Sequence, residues 1–498
     1  MKNLKERTLR AGFAKACAQG VNFIFRVGSL MVLARLLDPE DFGLMGMVTV
    51  VTGVFSLFKD AGLSMVTIQR STITNEQVST LFWINMLVGA ILGLLTFGAA
   101  PILASFYGEP RLFWITAALA TGFLIQAAGV QHGALLQRKM SFTALSVIEI
   151  ISMLVSIAVG IGMAILGYGY WALVGMAIIL PAVSTACLWL TVKWVPGRPR
   201  RGVGSSAMLR FGGMAALNGF VIYINFNIEK LLLGHFWGAK ALGIYGRAYQ
   251  LINIPTENLN SAIGGVAFSA LSRLQDDPGR FKNYFLNGYS LLVSLTLPIT
   301  IACALFADDI VLLFLGPKWK DVIPIFQLLT PTILAFALVN PFSSFLFSLG
   351  LVGRSVKIAF VLAPVMIGAY VLGLPYGPNG VAFAYSAVMT VSVIPLIAWC
   401  IHGTMISSKD IWKASSQPLV SAIVATALAF TVQSFYSDLL SPFPRLLLGA
   451  SIVSCSYLWM LLYVMGQKTF YMDLLQSMRN RSSVEEKSDL LLASKIPS

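Results

Sequence analysis

Charge is what this chain is short of. Asp, Glu, Lys and Arg together make up 11% of 498 residues, against 57% hydrophobic residues and a mean hydropathy of +0.78. Soluble domains carry about 25% charged residues, so a soluble globular protein is excluded at the outset. Cysteine is scarce too. Cys17, Cys187, Cys303, Cys400 and Cys455 lie scattered in apolar stretches with no CxxC spacing, which excludes a disulfide framework or a zinc ribbon and leaves buried small hydrophobes. Three histidines and no HExxH pattern give no metal site, and no cofactor is expected. Long polar segments are missing as well: loops reach only about twenty residues, too little for an extramembrane domain. The adjacent acid pairs Asp276-Asp277 and Asp308-Asp309 fall on short loops on opposite sides. A membrane glycosyltransferase or polymerase would need a sizeable soluble loop or a paired-carboxylate site, so the chain does not read as an enzyme.

What the chain has instead is fourteen long apolar stretches. The bilayer core is roughly 30 Å thick, so a spanning helix needs about 20 apolar residues whose backbone groups are all satisfied within the segment. The predicted spans are 12–36, 43–66, 79–100, 112–136, 144–166, 170–192, 211–235, 243–267, 284–306, 322–348, 356–375, 379–402, 415–436 and 444–466. Spans 2 and 8 carry charges, and Pro331 and Pro341 interrupt span 10. The fold class is therefore an all-α integral membrane protein of about 14 transmembrane helices.

The basic residues set the orientation. With the N-terminus inside and charges near a span end assigned to the nearer side, 25 of the 35 Lys and Arg fall on the cytoplasmic side, 7 on the outside, and 3 (Arg26, Lys59 and Lys230) deeper within spans. Miscounting one span would move every later loop to the other side and destroy this asymmetry, so both termini read as cytoplasmic. The net charge of +14 is then a positive-inside signature beside anionic lipid headgroups, and nucleic acid is excluded as a partner. The N-terminal MKNLKERTLRAGFAKACAQG lacks a short apolar region followed by a small-residue cleavage site, so the first helix reads as retained.

An internal duplication divides the chain. Leu9-Arg10-Ala11-Gly12 recurs as Leu209-Arg210-Phe211-Gly212, and Phe42-Gly43-Leu44 as Leu242-Gly243-Ile244, both at an offset of 200. SFYGEP at 105–110 matches LFLGPKW at 313–319, and the turns before spans 6 and 12 are GYGYWALV and YGPNGVAF. Six spans repeated in the same direction imply two six-helix lobes related by an axis along the membrane normal, with a central cavity as the substrate route. The predicted division is an N-lobe at 1–192, a basic cytoplasmic linker at 193–210, a C-lobe at 211–402, spans 13 and 14 at 403–466, and a cytoplasmic tail at 467–498. Spans 13 and 14 fall outside the duplication and read first as packing.

Charges inside spans are the strongest functional signal, since a centred Arg costs about 2.5 to 3.5 kcal/mol on insertion scales. Arg26 lies near the middle of span 1, too deep to snorkel easily. It reads either as a contact to phosphate or pyrophosphate, which a guanidinium grips by forked hydrogen bonds, or as a structural ion pair. Glu229 and Lys230 in span 7 point about 100° apart. Lys230 is the better cavity residue, and Glu229 reads as a partner for Arg26 or Arg247. Arg247 and Glu257, ten residues apart on nearly one side of span 8, read as an outer-mouth cation and a deeper acid. Lys59 and Asp60 near the inner end of span 2 suggest a gate-side ion pair or cap, and Glu149 lies within reach of Arg138 or Lys139. His132 reads as a hydrogen-bonded core histidine before a proton relay. Asn22, Asn218, Asn225 and Asn227 could bond sugars or other helices.

The run LARLLDPEDFGLMGMV at 33–48, continuing through LFKDAGLSMVTIQR at 57–70, resembles the opening of the polysaccharide-exporting flippases of the multidrug/oligosaccharidyl-lipid/polysaccharide (MOP) superfamily. More narrowly, it is similar to the Wzx-like lipopolysaccharide and exopolysaccharide exporters. The resemblance implies a MATE-like fold and transport of an undecaprenyl-pyrophosphate-linked oligosaccharide between the leaflets of the bacterial inner membrane. It further implies a cationic cavity worked by alternating access, often coupled to an ion gradient or the membrane potential. Arg26 matches the family's habit of placing Arg in the first cavity helix, while Lys230 and Arg247 match only by helix. Expected partners are the lipid-linked oligosaccharide, membrane lipids and other polysaccharide assembly proteins. The rivals are a lipid II flippase and a multidrug or metabolite extruder of the same superfamily.

Overall fold

The computed structural model describes residues 2–59, 63–70, 73–199, 223, 227–436, 441–469 and 471–472, without the side chains of 2–18, 66, 258–270 and 434–436. Among the described residues every regular element is helical. The first seven helices are α1 (Lys2–Leu36), α2 (Pro39–Ser56), α3 (Leu63–Gln69), α4 (Asn75–Tyr107), α5 (Arg111–Arg138), α6 (Phe142–Ile165) and α7 (Trp171–Val192). There follow α8 (Ile228–Arg273), α9 (Pro278–Leu305), α10 (Ala307–Phe314), α11 (Val322–Leu329), α12 (Pro331–Val339), α13 (Pro341–Ser348), α14 (Val352–Gly373), α15 (Gly377–Ile401), α16 (Ser408–Tyr436) and α17 (Pro442–Trp459).

Nine segments among the described residues are long and apolar enough to cross a membrane. They cover predicted spans 3 to 6, 9, 10, 13 and 14 one for one, and one 50-residue stretch, Val352–Ile401, carries predicted spans 11 and 12 on either side of a 3-10 turn at Leu374–Tyr376. The remaining four differ for local reasons. α1 begins in a strongly basic stretch, and span 2 stops as a helix at Ser56 and resumes at Leu63. Most of span 7, with Asn218 and Asn225, lies outside the described residues. Spans 7 and 8 run through one helical stretch, α8, divided by Gly238 at φ 77° and ψ −177°. Span 10 breaks into α11, α12 and α13 at Pro331 and Pro341, where a missing N–H and ring clash with the preceding turn end each segment.

The helix ends are written in the sequence. Thr74 and Gln77 form a reciprocal capping box at the start of α4, with Thr74 N donating to Gln77 Oε1 at 3.1 Å and Gln77 N to Thr74 Oγ1 at 3.3 Å. α4 stops at Gly108, whose φ of 67° is a left-handed cap. The matched turn in the second repeat also carries a positive-φ glycine, Gly316 at φ 96°, but its ψ of 178° gives a different turn from the left-handed cap at Gly108. The LRFG copy at 209–212 lies outside the described residues.

The chain forms two compact units. The first takes Met1–Leu251, Val311–Leu328 and Val361–Val388, and the second Ile252–Ile310, Leu329–Phe360 and Met389–Ser498. The core of the second is an aromatic stack in which Phe285 lies 5.3 Å from Phe342 and 4.9 Å from Phe345 between ring centroids. α16 and α17 complete that core: Ala425 and Val453 are fully buried in it, and a Cβ on Gly449 would lie 2.1 Å from the Phe306 ring. Predicted spans 13 and 14 therefore pack as integral parts of this unit.

A buried ion pair ties α17 to the same unit. Arg445 Nε donates to both carboxylate oxygens of Asp309, at 2.8 and 2.9 Å, and Asp309 is 2% exposed. Removing one partner strands a charge away from water, so Asp309→Ala is expected to destabilise the protein by about 3 to 5 kcal/mol. Asp309→Leu combined with Arg445→Met should recover most of that loss. Thermal unfolding of the three variants in detergent checks this, and an unchanged Tm for Asp309→Ala would contradict it.

Candidate functional site

Lys230 stands at the centre of a partly buried polar group in the first unit. Its Nζ donates to Asn227 Oδ1 at 2.8 Å and sits 5.2 Å from the ring centroid of Tyr249, a cation-π arrangement. Asn227 is fixed in turn by donating Nδ2 to Tyr223 O at 2.9 Å. Glu229 is 2% exposed, and its Oε1 lies 3.9 Å from Lys230 Nζ. Its Oε2 has no hydrogen-bond partner among the described residues, and neither has the buried hydroxyl of Tyr245. Tyr245 stacks on Tyr249 at 6.2 Å, and Tyr370 on Tyr385 at 5.9 Å.

This corrects the expectation for Glu229. Its ion partner is the adjacent Lys230, and among the described residues it pairs with neither Arg26 nor Arg247. Neighbours 100° apart on a helix still meet when the lysine stem bends back, which leaves Lys230 between a buried acid and a tyrosine face.

Arg26 is exposed on α1, with no ion pair or side-chain hydrogen bond among the described residues. Asn22, Arg26 and Ser29 follow i, i+4, i+7 spacing and so share one helix face, while the strongly exposed Ile24 lies on another. Asn22 Oδ1 is buried without a hydrogen-bond partner among the described residues, and Ser29 Oγ donates back to Arg26 O at 3.0 Å. Asn22, Arg26 and Ser29 thus form a polar stripe centred on a guanidinium, in a part of α1 whose other residues from 21 to 34 are apolar.

Arg247 is held differently. Its guanidinium lies 3.9 Å over the Phe42 ring, and its Nη1 donates to Gln250 Oε1. The expected deeper acid, Glu257, is exposed with no ion pair among the described residues. Lys59 is exposed and lines a cavity of about 680 Å³ with Gln126, Gln137, Glu149 and Ser184. Its proposed companion Asp60 lies outside the described residues. Glu149 does not take up Arg138, which donates instead to the carbonyls of Thr67 at 2.9 Å and Arg70 at 2.5 Å.

His132 is a core residue: fully buried, 4.4 Å from the Trp189 ring in a stacked pair, with Nε2 3.0 Å from Trp194 O. It helps seat the start of the basic linker. Gly197 N donates to Ser79 Oγ at 2.9 Å, and Trp83 Nε1 to Gly197 O at 2.8 Å. No group of three or more His, Cys, Asp and Glu among the described residues could hold a metal ion.

Two features escaped sequence reasoning. The tyrosines around Lys230 come from α8, α14 and α15, and only Tyr245 and Tyr249, one helical turn apart, left a local signal. The other is a reciprocal contact of Gly43 and Gly243, whose offset was visible but whose meeting was not.

The helices define a class. The chain superposes on the inward closed conformation of the lipid II flippase MurJ with a TM-score of 0.71 at 15% identity, covering 92% of this chain and 99% of that one. It also matches an inward-facing multidrug resistance MATE family transporter of the MOP superfamily, with a TM-score of 0.62 at 14% identity over 76% of this chain and 93% of the other. At these identities the likeness shows the fold alone, that of a multi-pass helical membrane protein.

Sequence narrows the class further. The polysaccharide biosynthesis protein family matches residues 32–324, and the chain belongs to that family. It is 32% identical to the teichuronic acid biosynthesis protein TuaB of Bacillus subtilis (strain 168) over 298 residues, 58% of this chain and 61% of that protein, so the match spans less than two thirds of TuaB. It is 26% identical to the lipopolysaccharide biosynthesis protein WzxC of Escherichia coli (strain K12) over 79% of this chain and 80% of WzxC. Identity to the succinoglycan biosynthesis transport protein ExoT of Rhizobium meliloti (strain 1021) is 23% over 91% and 92%.

Proposed function

We propose that this protein flips an undecaprenyl-pyrophosphate-linked oligosaccharide from the cytoplasmic to the periplasmic leaflet of the inner membrane, for exopolysaccharide or lipopolysaccharide assembly. The carrier has fourteen spans in two parallel lobes plus two, with both termini cytoplasmic. The observation that carries the reading is Arg26: an exposed guanidinium in a membrane-length helix, without an acidic partner among the described residues, in a member of a polysaccharide biosynthesis family.

The physical need is plain. Taking a pyrophosphate and a sugar chain through hydrocarbon would desolvate several charges and many hydroxyls, each unpaired polar group costing several kcal/mol. A path lined by Arg26, Lys230 and Arg247 lowers that barrier while the prenyl tail stays in lipid. Asn22 and Asn227 offer amides to sugar hydroxyls. Glu229, Glu257, Lys59 and Asp60 act as ion-pair or gate residues, limiting the net positive charge so that the headgroup is released. No bond is made or broken, so no catalytic constellation is needed. The lipid II and multidrug readings share the fold, but the family match favours polysaccharide.

Deleting the gene is expected to abolish secreted or surface polysaccharide while lipid-linked precursor accumulates on the cytoplasmic side, read by polymer assay and by lipid extraction. Unchanged polymer output would overturn the reading, and a cell-wall or drug-sensitivity defect in its place would move it to a rival.

A further inference from the structure

The cavity of about 680 Å³ in the first unit has walls of a different chemistry from the cationic residues. Along α5 it is lined by Gln126, Gly129, Val130, Gly133 and Gln137, whose i, i+3, i+4, i+7, i+11 spacing is one helix face. The two glutamines stand roughly 16 Å apart along the axis, with the glycines between them. Gly133 leaves room: a Cβ there would meet only Leu188, at 4.0 Å. Glu149 enters from α6. The side chains of Gln126, Gln137 and Glu149 make no hydrogen bond or ion pair among the described residues.

An acid inside a membrane-length helix is costly and calls for a return. The walls of the cavity decide what can give it. A hydrocarbon chain would leave the carboxylate and both amides unpaired, a cost in free energy for each. Lys59 and Glu149 are the charged residues on the walls and cancel, so neither an anion nor a cation is favoured, and Arg26, Lys230 and Arg247 do not line the cavity. What the walls match is a neutral ligand rich in hydroxyls. A carboxylate accepts from two hydroxyls, and each amide both donates and accepts. Leu145 and Leu188 offer apolar surface to the C–H faces of a ring. The volume falls within the roughly 300 to 1,000 Å³ of small-molecule pockets.

We propose that this hollow between α5 and α6 is a carbohydrate subsite that reads the sugars of the cargo. Recognition is thereby divided. Arg26, Lys230 and Arg247 meet the pyrophosphate that every such lipid-linked cargo shares, and the hollow meets the part that differs. A sugar lacking the right hydroxyl leaves the site's polar groups unpaired, and is rejected for that reason. The inference rests on the transport reading, and the orientation set by the basic loops puts Gln137 at the cytoplasmic end, where the cargo enters.

The test compares two ligands on the purified protein in detergent: the lipid-linked oligosaccharide extracted from the gene-deleted strain, and undecaprenyl pyrophosphate without sugar. Both should bind, read as a rise in Tm with ligand concentration, the first roughly tenfold more tightly. Gly133→Leu places a side chain in the hollow, and Glu149→Gln removes its carboxylate. Each should take away most of that advantage while leaving undecaprenyl pyrophosphate binding as it was, a split that general misfolding would not give. Gly122→Leu on the same helix, off the cavity and with nothing within 4 Å of its Cβ, should keep the advantage. Equal affinity of the parent protein for the two lipids, or an advantage that survives Gly133→Leu, overturns the subsite alone. A parent protein that binds neither lipid overturns the transport reading and the subsite with it.

Discussion

Replacing Arg26 by glutamate is expected to stop export while the protein still inserts and accumulates. Arg, Lys and Asp at a helix centre cost a similar amount on insertion scales, about 2.5 to 3.5 kcal/mol, so exchanging one charge for the other leaves the insertion balance nearly unchanged. What changes is the sign presented to an anionic headgroup. A charge-assisted hydrogen bond is worth about 1.5 to 3 kcal/mol, and losing it should slow transport by roughly tenfold to a hundredfold in Arg26→Ala, with repulsion adding to that in Arg26→Glu. Arg26→Lys keeps the charge but not the fork, and partial activity is expected. Polymer output normalised to membrane-inserted protein checks the series. Full output from Arg26→Glu would reject a contact between this guanidinium and the substrate.

The absence of a counter-ion among the described residues is what gives that experiment its force. If Arg26 were locked to an acid, Arg26→Glu would place two acids together and unfold the local packing, and lost export would say nothing about substrate. Among the described residues no acid faces it, and the nearest polar groups along the stripe are Asn22 and Ser29. The free energy spent on inserting the charge therefore has no return among the described residues, and the proposed function assigns that return to a ligand met during transport.

How much of this was legible depends on which forces act locally. Spans 3 to 6 coincide with single helices because some twenty apolar residues between polar ends leave the chain few alternatives in a membrane. Span 10 announced its breaks through Pro331 and Pro341, and the caps at Thr74 and Gly108 follow from residue type. Span 2 is harder to read. Helix α2 ends at Ser56, ahead of Lys59, Asp60 and Gly62, a polar cluster the hydropathy pattern smooths over. Side-chain partners were the least legible. Helical spacing gives the direction in which Arg247 leaves its axis, but finding Phe42 beneath it requires knowing that two segments 200 residues apart cross there. The offset-200 motif held that information, since a glycine kept at both equivalent helix starts is what a reciprocal main-chain contact needs.

The same limit applies to Glu229 and Lys230, and it sets the second large prediction. Lys230→Met should cost both stability and export, because it leaves the 2% exposed Glu229 without the cation 3.9 Å away. An uncompensated buried charge is worth about 3 to 5 kcal/mol of destabilisation. Adding Glu229→Gln removes that stranded charge, so the double variant should unfold at nearly the parental temperature. Two roles for Lys230 then separate. As a structural counter-ion only, its loss would be repaired by the second substitution, and export would return along with stability. As the cation that meets the headgroup, held over Tyr249 and oriented by Asn227, its loss cannot be repaired by neutralising a neighbour, and the stable double variant should still fail to export. The expected result is the second: a coupling close to the full destabilisation in the unfolding data, and none in the transport data. Recovery of polymer output in the double variant would reduce Lys230 to a packing residue and leave Arg26 and Arg247 to carry the cationic path.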